Sequence, residues 1–292
     1  MITPRLSIVI PSHRRTDLLA HCLRSVIECQ PTDTEVIVVD DGSNDYIVSK
    51  TANLFPGVIV IRLPRSRGFA ATANTGIARA TGKVVELLND DTEVTPDWAE
   101  PALEQFRNPR IVAVAPLVLI HPDTSKAKHP RIDSTGDEFD PGGFARKRGH
   151  AEPLSEKHLQ SGPVWGVSAA AGFYRRGELL HVGGFAEEFG AYFEDVELSM
   201  RLRAMGGEIT YEPRSVVWHR VSASYGRSPS RKVIEQQSCN EERLFWRQST
   251  GGKTWKHISR HLSVLVGKSA RRLTEGTLLP WLTGRVKAMT TA

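Results

Sequence analysis

The chain has few cysteines and no pair of them at metal-binding spacing. Only Cys22, Cys29 and Cys239 occur among the 292 residues, and there is no CxxC motif. A small, odd number of unclustered cysteines argues against a disulfide framework and against a structural zinc site. The cysteine content therefore fits a protein of a reducing compartment.

Long apolar segments are also missing. The N-terminus has one short apolar run, residues 6–10, without the preceding charged region or the longer hydrophobic stretch of a signal peptide. No segment approaches the roughly 20 apolar residues that a membrane-spanning helix needs. We therefore expect a cytoplasmic protein.

The glycine-rich motifs that commonly bind phosphates are absent too. No GxGxxG follows the first apolar run, which argues against a Rossmann dinucleotide site. The Gly-Lys-Ser at 267–269 has Leu262 where a P-loop needs its first glycine. A nucleotide bound by this chain would have to be held mainly by acidic side chains through a metal ion.

Positive charge is scarce in the body of the chain and concentrated at its end. The formal net charge is +5, but the segment from Arg227 onward holds 13 Lys and Arg against 4 Glu, whereas the remainder holds 25 basic and 29 acidic residues. A basic tail on a slightly acidic body indicates that the tail meets an anionic partner. Membrane lipid, a phosphorylated acceptor and nucleic acid all fit that charge.

What the chain does have is a series of short, continuous apolar runs rich in β-branched residues. Helical patterns separate them, such as RTDLLAHCLRSVIEC (15–29) and the alanine-rich GFAATANTGIARATG (68–82). Continuous runs are typical of strands buried on both faces of a parallel sheet. The alternation predicts an α/β fold with a doubly wound, mostly parallel sheet, whose strands are LSIVIP (6–11), EVIVVDD (35–41), VIVIRL (58–63), KVVELLNDD (83–91) and IVAVAPLV (111–118).

Residues 121–163 interrupt this pattern. The segment is rich in Pro, Gly, Lys and His and has no clear period, so we predict an irregular excursion with a short hairpin. A helix is then predicted over EDVELSMRLRAMGG (194–207), followed by two short strands, EITYEP (208–213) and SVVWH (215–219). The chain after residue 225 is predicted to be mostly helical.

Polar side chains stand where several predicted strands end. Ligands of an open α/β sheet bind beyond the carboxyl ends of its strands, and here those ends read Pro11-Ser12-His13, Asp40-Asp41-Gly42-Ser43 and Asn89-Asp90-Asp91. Each alone is also explained as a turn or a helix cap. Acids at neighbouring strand ends would repel one another unless a cation or hydrogen-bond donors lie between them. Their oxygens suit Mg²⁺ or Mn²⁺ bridging a diphosphate.

Two further polar sites are candidates for a functional role, namely the helix start at Glu194 and Asp195 and the strand end at His219. Glu194 and Asp195 stand at the start of a predicted helix, where the helix dipole favours acids. An acid in that position can also face a cleft and accept a proton from a hydroxyl group. His219 ends a predicted strand, where a single histidine is equally explained as an ordinary packed residue.

These segments, in this order, resemble the family 2 glycosyltransferases of the GT-A fold. The resemblance covers roughly residues 5–225 and rests on IVIPSHRR, VIVVDDGS, GFAATANTGI, LLNDDTEV, GGFAEEFGAYFEDVELSMRL and VVWH. Within the family the chain looks most like bacterial rhamnosyltransferase-type enzymes of cell-surface polysaccharide or cell-wall synthesis. The resemblance implies a catalytic domain over 1–225, with a nucleotide-binding half at about 1–118 and an acceptor-side half at about 164–225. A basic helical extension follows over 226–292.

The resemblance also implies roles for the residues that match the family's motifs. Asp195 matches the catalytic base, Asp91 the main ligand of a metal on the donor diphosphate, and His219 a histidine that joins the metal shell in some members. Asn89 stands in place of the first acid of the DxD motif, so that an uncharged amide oxygen replaces a carboxylate. The nucleotide-binding positions would be Pro11, Ser12, Asp40, Asp41, Arg67, Gly68, Asn74 and Asp90.

The implied reaction is an inverting transfer of a sugar from a nucleoside-diphosphate sugar, such as dTDP-rhamnose or a UDP-sugar, to a hydroxyl of a glycan or lipid-linked acceptor. Mg²⁺ or Mn²⁺ would be the cofactor, and nucleic acid is not an expected partner. A sugar-phosphate nucleotidyltransferase is an alternative, but PSHRRTD (11–17) lacks the glycines that would grip a triphosphate. An inactive scaffold relative is another, against which the intact Asp91 and Asp195 argue.

The C-terminal extension has two interpretations. Apolar residues at i, i+4, i+7 and i+8 form a stripe on a predicted helix, namely Ile258, Leu262, Leu265 and Val266, with positive charge around it from Arg260, Lys268, Arg271 and Arg272. The helix either packs on the catalytic domain or a second subunit, or lies at a membrane surface and brings the enzyme to a lipid-linked acceptor. The second interpretation would place the protein on the inner face of the plasma membrane.

Overall fold

The fold was examined in a computed structural model, which describes residues 3–125, 127–221, 229–248 and 255–290. The domain boundary predicted at residue 225 lies outside these ranges. The strands are β1 (Leu6–Ser12), β2 (Thr34–Asp40), β3 (Val58–Arg62), β4 (Val84–Leu88), β5 (Thr92–Val94), β6 (Ile111–Ile120), β7 (Ile132–Ser134), β8 (Asp137–Asp140), β9 (Phe144–Lys147), β10 (Gly162–Pro163), β11 (Ala171–Arg175) and β12 (Glu208–His219). The helices are α1 (Thr16–Cys29), α2 (Ile47–Ala52), α3 (Phe69–Arg79), α4 (Ala99–Gln105), α5 (Arg176–His181), α6 (Glu194–Ala204), α7 (Arg231–Arg247), α8 (Trp255–Thr274) and α9 (Leu278–Thr290).

The predicted α/β fold with a mostly parallel sheet is confirmed. Within the described ranges the main sheet has the order β10-β12-β6-β11-β4-β1-β2-β3, with β5 on β12 and β7 on β6. The run β4-β1-β2-β3 is parallel, and so is the pair β6-β12, whereas β11 joins these two blocks as an antiparallel strand. The chain therefore leaves β1 towards one edge and returns as β4 on the other side, which creates a switch point between them.

Successive side chains of β1 point into two different apolar layers, as a strand covered on both faces requires. Ile8 lies in the layer that contains Leu23 of α1, and Val9 lies in the layer that contains Ile77 of α3. Helix α3 approaches the sheet very closely, because a Cβ built on Gly76 would lie 2.3 Å from Cγ1 of Val9. Its small residues thereby bring the start of the helix, at Phe69, to the carboxyl edge of the sheet.

The prediction of two separate strands over 208–219 is wrong. The segment is the single strand β12, which pairs with β6 and shifts register between Glu212 and Val216. Pro213 lies in that shift and has no N–H group to donate, so the irregularity lets the strand pass it without ending. As a result, β12 runs on to His219 and carries it to the end of the sheet.

The C-terminal helix α8 packs on the body of the protein, but only half of the predicted apolar stripe is sheltered there, since Ile258 and Leu265 are partly buried. Leu262 and Val266 are 51% and 71% exposed. The buried side carries His261, whose ring stacks on Phe245 of α7 at 3.6 Å and whose Nδ1 lies 2.7 Å from the carbonyl oxygen of Gly142. Polar and aromatic contacts thus replace part of the apolar contact that the stripe suggested.

Buried ion pairs join the three C-terminal helices. Arg285 of α9 contacts Glu241 and lies 2.8 Å from Glu242 on α7, and Lys268 of α8 also contacts Glu241. Two adjacent buried carboxylates would be strongly unfavourable without such cations. The helices α7, α8 and α9 therefore hold together as one unit, and no described helix is long and apolar enough to cross a membrane.

Glu86 is an acid placed inside the apolar sheet. It lies on β4, is fully buried, and accepts one hydrogen bond, from Nε1 of Trp98 at 2.9 Å. Burial raises the pKa of Glu86 to about 8, in spite of that hydrogen bond. The folded state therefore favours the protonated carboxyl, so this residue lowers stability progressively as pH rises from the unfolded-state pKa of 4.5 to about 8.

We expect Glu86→Gln to stabilise the protein at neutral pH, because an amide carries no charge to desolvate. The gain in free energy of unfolding should be about 3 kcal/mol at pH 7, from 1.36 kcal/mol for each unit of pKa difference. Urea unfolding of both proteins between pH 4.5 and 9 measures it. The two stability curves should converge near pH 4.5 and separate as pH rises; curves that stay parallel would show that Glu86 is not protonated in the fold.

Candidate active site

A cleft of about 480 Å³ opens beyond the carboxyl ends of β1 and β4, at the switch point of the sheet. Six of the residues singled out from the sequence line it, namely Pro11, Asn89, Asp91, Glu194, Asp195 and His219. They come from a strand end, the β4–β5 turn, the start of α6 and the end of β12. The fold therefore brings the acid motif, the helix-start acid and the histidine to one place.

Asp91 and His219 meet because the short strand β5 pairs with β12. Thr92 lies opposite His219 in their antiparallel register, and the backbone N–H of Arg220 donates to the carbonyl oxygen of Asp91 at 2.8 Å. These backbone contacts leave Nε2 of His219 3.2 Å from Oδ1 of Asp91. The pairing is thus fixed by the sheet and does not depend on flexible side chains.

Asp133, on β7, holds His219 from the other side. Oδ2 of Asp133 lies 2.9 Å from Nδ1 of His219 and accepts from Nζ of Lys147 at 2.8 Å. Burial opposes charge on the imidazole, but Asp133 and Asp91 raise the pKa of His219 above its usual value. A carboxylate on one ring nitrogen orients the ring and fixes its tautomer, so Asp133 directs Nε2 towards Asp91.

Arg15 offsets the electrostatic repulsion between the adjacent carboxylates of Asp90 and Asp91. Its guanidinium contacts Asp90 and lies 2.7 Å from Oδ2 of Asp91, while Ser12 donates to Asp90 at 2.7 Å. Burial raises the pKa of Asp90 to about 6 against the opposing charge of Arg15. Burial acts on Asp91 as well, but His219 and Arg15 outweigh it and bring the pKa of Asp91 below its usual value. Asp91 is therefore the more acidic of the pair and the better ligand for a cation.

Asp195 lies in the same cleft beside two other acids. Its oxygens accept hydrogen bonds from the backbone N–H groups of Ala169 at 3.0 Å and Val196 at 2.9 Å. Burial raises the pKa of Asp195. Burial and the charge of Asp195 raise the pKa values of Asp137 and Glu194 well above their usual range. The raised pKa of Asp195 makes its carboxylate a stronger proton acceptor than an ordinary aspartate.

Lys147 of β9 supplies positive charge to this group of acids. Burial works against its charge, but Asp133, Asp137 and Asp195 raise the pKa of Lys147 above its usual value. The ammonium group therefore stays protonated at neutral pH and lies on the wall of the cleft between the histidine side and the Asp195 side.

Several residues predicted to bind the nucleotide do not line the cleft. Asp40 accepts from the backbone of Ser43 at 2.8 Å and from the hydroxyl of Ser49 at 2.6 Å. Asp41 accepts from the backbone N–H groups of Arg67 at 2.7 Å and Gly68 at 3.1 Å. Both carboxylates are thus occupied in shaping the loops after β2 and β3, where Gly68 has a φ of +85°.

Asn74 and Arg67 connect the region of α3 to the segment before α6. The amide of Asn74 donates to the carbonyl oxygen of Phe185 at 2.8 Å and accepts from its N–H at 2.8 Å. Arg67 pairs with Glu187 at 2.7 Å. The structure therefore gives these two residues contacts with protein groups outside the cleft.

The residues present fit a divalent cation that binds together with an anionic ligand. Among the described residues no three His, Cys, Asp or Glu side chains form a metal-binding cluster. Two possible donors lie together in the cleft, Oδ1 of Asp91 and Nε2 of His219, which are 3.2 Å apart. Asn89 lines the cleft nearby. Mg²⁺ and Mn²⁺ sites commonly use few protein ligands and complete their shell with phosphate oxygens and water.

Sequence reasoning missed Arg15, Asp133 and Lys147. Arg15 lies in PSHRRTD (11–17), directly after a predicted strand end, so a signal existed for it. Asp133 and Lys147 belong to the region without a period, where nothing in the sequence tells which side chains meet. Their positions depend on the pairing of β7 with β6 and on the β8–β9 hairpin.

A family model described as "Glycosyl transferase family 2" matches residues 7–174. Among curated proteins, the chain is 30% identical over 217 residues to a pre-mycofactocin glycosyltransferase of Mycobacterium tuberculosis. That match covers 73% of this chain and 42% of the relative, so the chain spans less than half of the relative's length.

Two solved structures share the architecture. A structure of GalNAc-T7 with UDP, GalNAc and Mn²⁺ superposes with a TM-score of 0.62 at 19% identity, over 82% of this chain and 48% of that one. The mannosyltransferase PcManGT of Pyrobaculum calidifontis, in complex with GDP-Man and Mn²⁺, gives 0.62 at 17% identity, over 99% and 88%. At these identities the likeness establishes the fold, which is the GT-A fold that the motifs imply.

Proposed function

The chain belongs to glycosyl transferase family 2, and we propose that it moves a sugar from a nucleoside-diphosphate sugar to an acceptor hydroxyl with inversion at the anomeric carbon. The observation that carries this proposal is that Asp91, His219 and Asp195 line one cleft at the switch point of the sheet. Groups that can hold a cation and a group that can accept a proton therefore lie within reach of one ligand.

The donor would bind along the β1 and β4 side of the cleft. Pro11 would line the pocket for the base, while Asp41 and Gly68 shape the loops beside it. Arg15 lies on the cleft wall and would pair with the diphosphate as well as with the acids. Ser12 and Asp90 would support this side from behind through their hydrogen bond.

The cofactor would be held by Asp91 and His219, with Asn89 as a further oxygen donor. When bound, Mg²⁺ or Mn²⁺ supplies positive charge that offsets the charge developing on the departing diphosphate. The Mn²⁺ and nucleotides in the structures of GalNAc-T7 and PcManGT support a metal and a nucleotide sugar here. Asp133 would keep the imidazole in the tautomer that leaves Nε2 free to bind a cation.

Asp195 would be the base. Its carboxylate accepts the proton of the acceptor hydroxyl, which attacks the anomeric carbon from the side opposite the leaving diphosphate. One base on one face is what inversion requires, whereas two carboxylates flanking a single glycosidic bond would indicate a glycosidase. Burial and the charge of Asp195 disfavour ionisation of Asp137 and Glu194 by raising their pKa values.

Binding of the donor is tested by thermal unfolding of the full chain with a panel of nucleotide sugars, including dTDP-rhamnose, UDP-sugars and GDP-mannose, each with Mn²⁺ or with EDTA. A ligand that binds the folded state raises the unfolding temperature by mass action. We expect at least one donor to raise it only when Mn²⁺ is present. No shift with any donor would contradict the proposed function, and the responding donor would test the rhamnose specificity implied by the resemblance.

We further propose that the outer face of α8 and α9 rests on the anionic inner surface of the plasma membrane. On α8 the exposed apolar residues recur at intervals of seven, four and seven positions, and they are Trp255, Leu262, Val266 and Leu273. On α9 they are Leu279, Leu282, Val286 and Met289. Each of the eight side chains is 44% exposed or more. Exposed cations accompany it, among them Lys256, Arg271 and Lys287. An apolar stripe flanked by positive charge is the pattern of an interfacial helix.

The double variant Leu262→Asp, Val266→Asp should bind phosphatidylglycerol vesicles at least about tenfold more weakly than wild type in co-sedimentation, since each buried apolar side chain contributes about 1.5 kcal/mol or more. Leu54→Asp is the matched control, because Leu54 is 77% exposed on the catalytic body. Equal binding of all three proteins would contradict the membrane proposal. A dimer in solution that only the double variant loses would instead identify the face as a subunit interface.

A further inference from the structure

The loop that leads into α6, residues 189–193, has an intrinsically unfavourable backbone conformation. Tyr192 and Phe193 have φ values of 74° and 65°, and Phe193 caps α6 without a side-chain hydrogen bond. Non-glycine residues in the left-handed region cost on the order of 1–2 kcal/mol each. Such a conformation persists only where surrounding contacts impose it.

The contacts come from Asn240 on α7. This side chain is fully buried, and its Nδ2 lies 2.7 Å from the carbonyl oxygen of Phe189, 3.0 Å from that of Ala191 and 2.8 Å from that of Tyr192. Gln236, one turn earlier, donates to the carbonyl oxygen of Phe189 at 2.9 Å and to Oδ1 of Asn240 at 3.1 Å. The side-chain amide of Asn240 thus lies within hydrogen-bond distance of three carbonyl oxygens of the loop.

The loop is also tied to the donor side of the cleft. The backbone N–H of Ala70, at the start of α3, donates to the carbonyl oxygen of Gly190 at 3.0 Å. Tyr192, Phe193 and the following Asp195 all line the cleft. The loop therefore lies between α3 and α7, and its conformation sets where α6 begins.

We propose that Asn240 is a positioning residue for Asp195, and that α7 is thereby a working part of the active site. Its amide hydrogens hold the 189–193 loop in the left-handed conformation that starts α6, which places the carboxylate of Asp195 against the reacting hydroxyl. This inference rests on the proposed role of Asp195. The C-terminal helices accordingly do more than meet a partner, since the base keeps its position only when α7 is in place.

Removing the amide takes one donor away from the carbonyl oxygens of Phe189, Ala191 and Tyr192, and the loop then relaxes towards ordinary backbone angles. Small displacements of a catalytic group have large effects, with about 1 Å costing on the order of a hundredfold in rate. The proposed donor contacts, on the β1 and β4 side of the cleft, would not use the loop carbonyls. The defect should therefore fall on kcat rather than on the KM of the donor.

Asn240→Ala should lower kcat at least about tenfold and leave the KM of the donor within about twofold of wild type. In hydrogen exchange, the amides of residues 190–195 should exchange faster in the variant, while those of β1 and β4 keep wild-type rates. Asn240→Leu keeps roughly the size of the side chain and adds no charge, but it lacks the two amide hydrogens. It should show the same kcat loss and is the variant to measure where Asn240→Ala does not fold.

Ser238→Ala is the matched control. Ser238 is buried on the same helix and donates to the carbonyl oxygen of Trp281 at 2.6 Å, so its loss removes a buried hydrogen bond that does not touch the loop. Its kcat and its loop exchange should equal those of wild type. The inference is overturned if Asn240→Ala and Ser238→Ala change kcat and loop exchange to the same extent. It is also overturned if Asn240→Ala keeps wild-type kcat and wild-type loop exchange. A wild-type chain that turns over no nucleotide sugar would overturn the proposed function, and the exchange measurement would still test the loop.

Discussion

Asp195→Asn should abolish sugar transfer, with a loss of at least about a hundredfold, while donor binding stays at the wild-type level. A positioned general base contributes on the order of 10²–10⁴ in rate, and an amide cannot accept the proton. The substitution keeps the size of the side chain and an oxygen that can accept the hydrogen bond from Ala169. Initial rates and calorimetric donor affinity, measured on the same preparations, separate the two effects.

The pH dependence adds an independent check on the same residue. Because burial raises the pKa of Asp195, kcat/KM of the wild type should begin to fall with acid at a higher pH than an ordinary Asp would give. The residual activity of Asp195→Asn should lack this acid limb of the pH profile, that is, the decrease in kcat/KM at low pH. Asp137→Asn offers the contrast: if that variant, rather than Asp195→Asn, removed the limb and the activity, Asp137 would be the base.

Asp91→Ala should remove the metal-dependent part of donor binding. Its Oδ1 lies 3.2 Å from the imidazole of His219, so the substitution eliminates the only carboxylate among the proposed metal ligands. Calorimetry of a donor with wild type should show tighter binding with Mn²⁺ than with EDTA. For the variant, the two affinities should be equal.

Asp133→Asn is the graded comparison for Asp91→Ala. An amide at this position weakens the orientation of His219 but leaves both metal donors in place, and such supporting contacts are typically worth 10–100-fold in metal affinity. We therefore expect an intermediate Mn²⁺ dependence. If Asp91→Ala retained the full difference between Mn²⁺ and EDTA, the assignment of Asp91 as metal ligand would be wrong.

The sequence was sufficient for the five strands predicted between residues 6 and 118, for the sheet type and for the places where polar side chains would meet. Strand ends can be read from short apolar runs, and the carboxyl ends of parallel strands share one edge. The contact between Asp91 and His219 needed more, because it depends on the register of β5 against β12. Asp133 lies in a region without a period, so nothing in the sequence tied it to His219.

The C-terminal helices show a different limit. The pattern of Leu262 and Val266 correctly indicates an amphipathic helix, but an apolar stripe does not tell whether protein, lipid or solvent covers it. The packed face of α8 is built from polar groups such as His261 and Lys268, which are tolerated inside because α7 presents Glu241 and Glu242 to them. Burial of paired charges has no periodic signal, and the contact of Asn240 with the 189–193 loop has none either.

The most direct test of the account is release of nucleoside diphosphate by the full chain from the donor that stabilises it, measured with Mn²⁺ and with EDTA for wild type, Asp91→Ala and Asp195→Asn. We predict that release requires Mn²⁺ and falls sharply in both variants, and that only Asp195→Asn retains Mn²⁺-dependent donor binding. Release that is independent of Mn²⁺, or that persists in both variants, would contradict the assignment of this cleft as the site of sugar transfer.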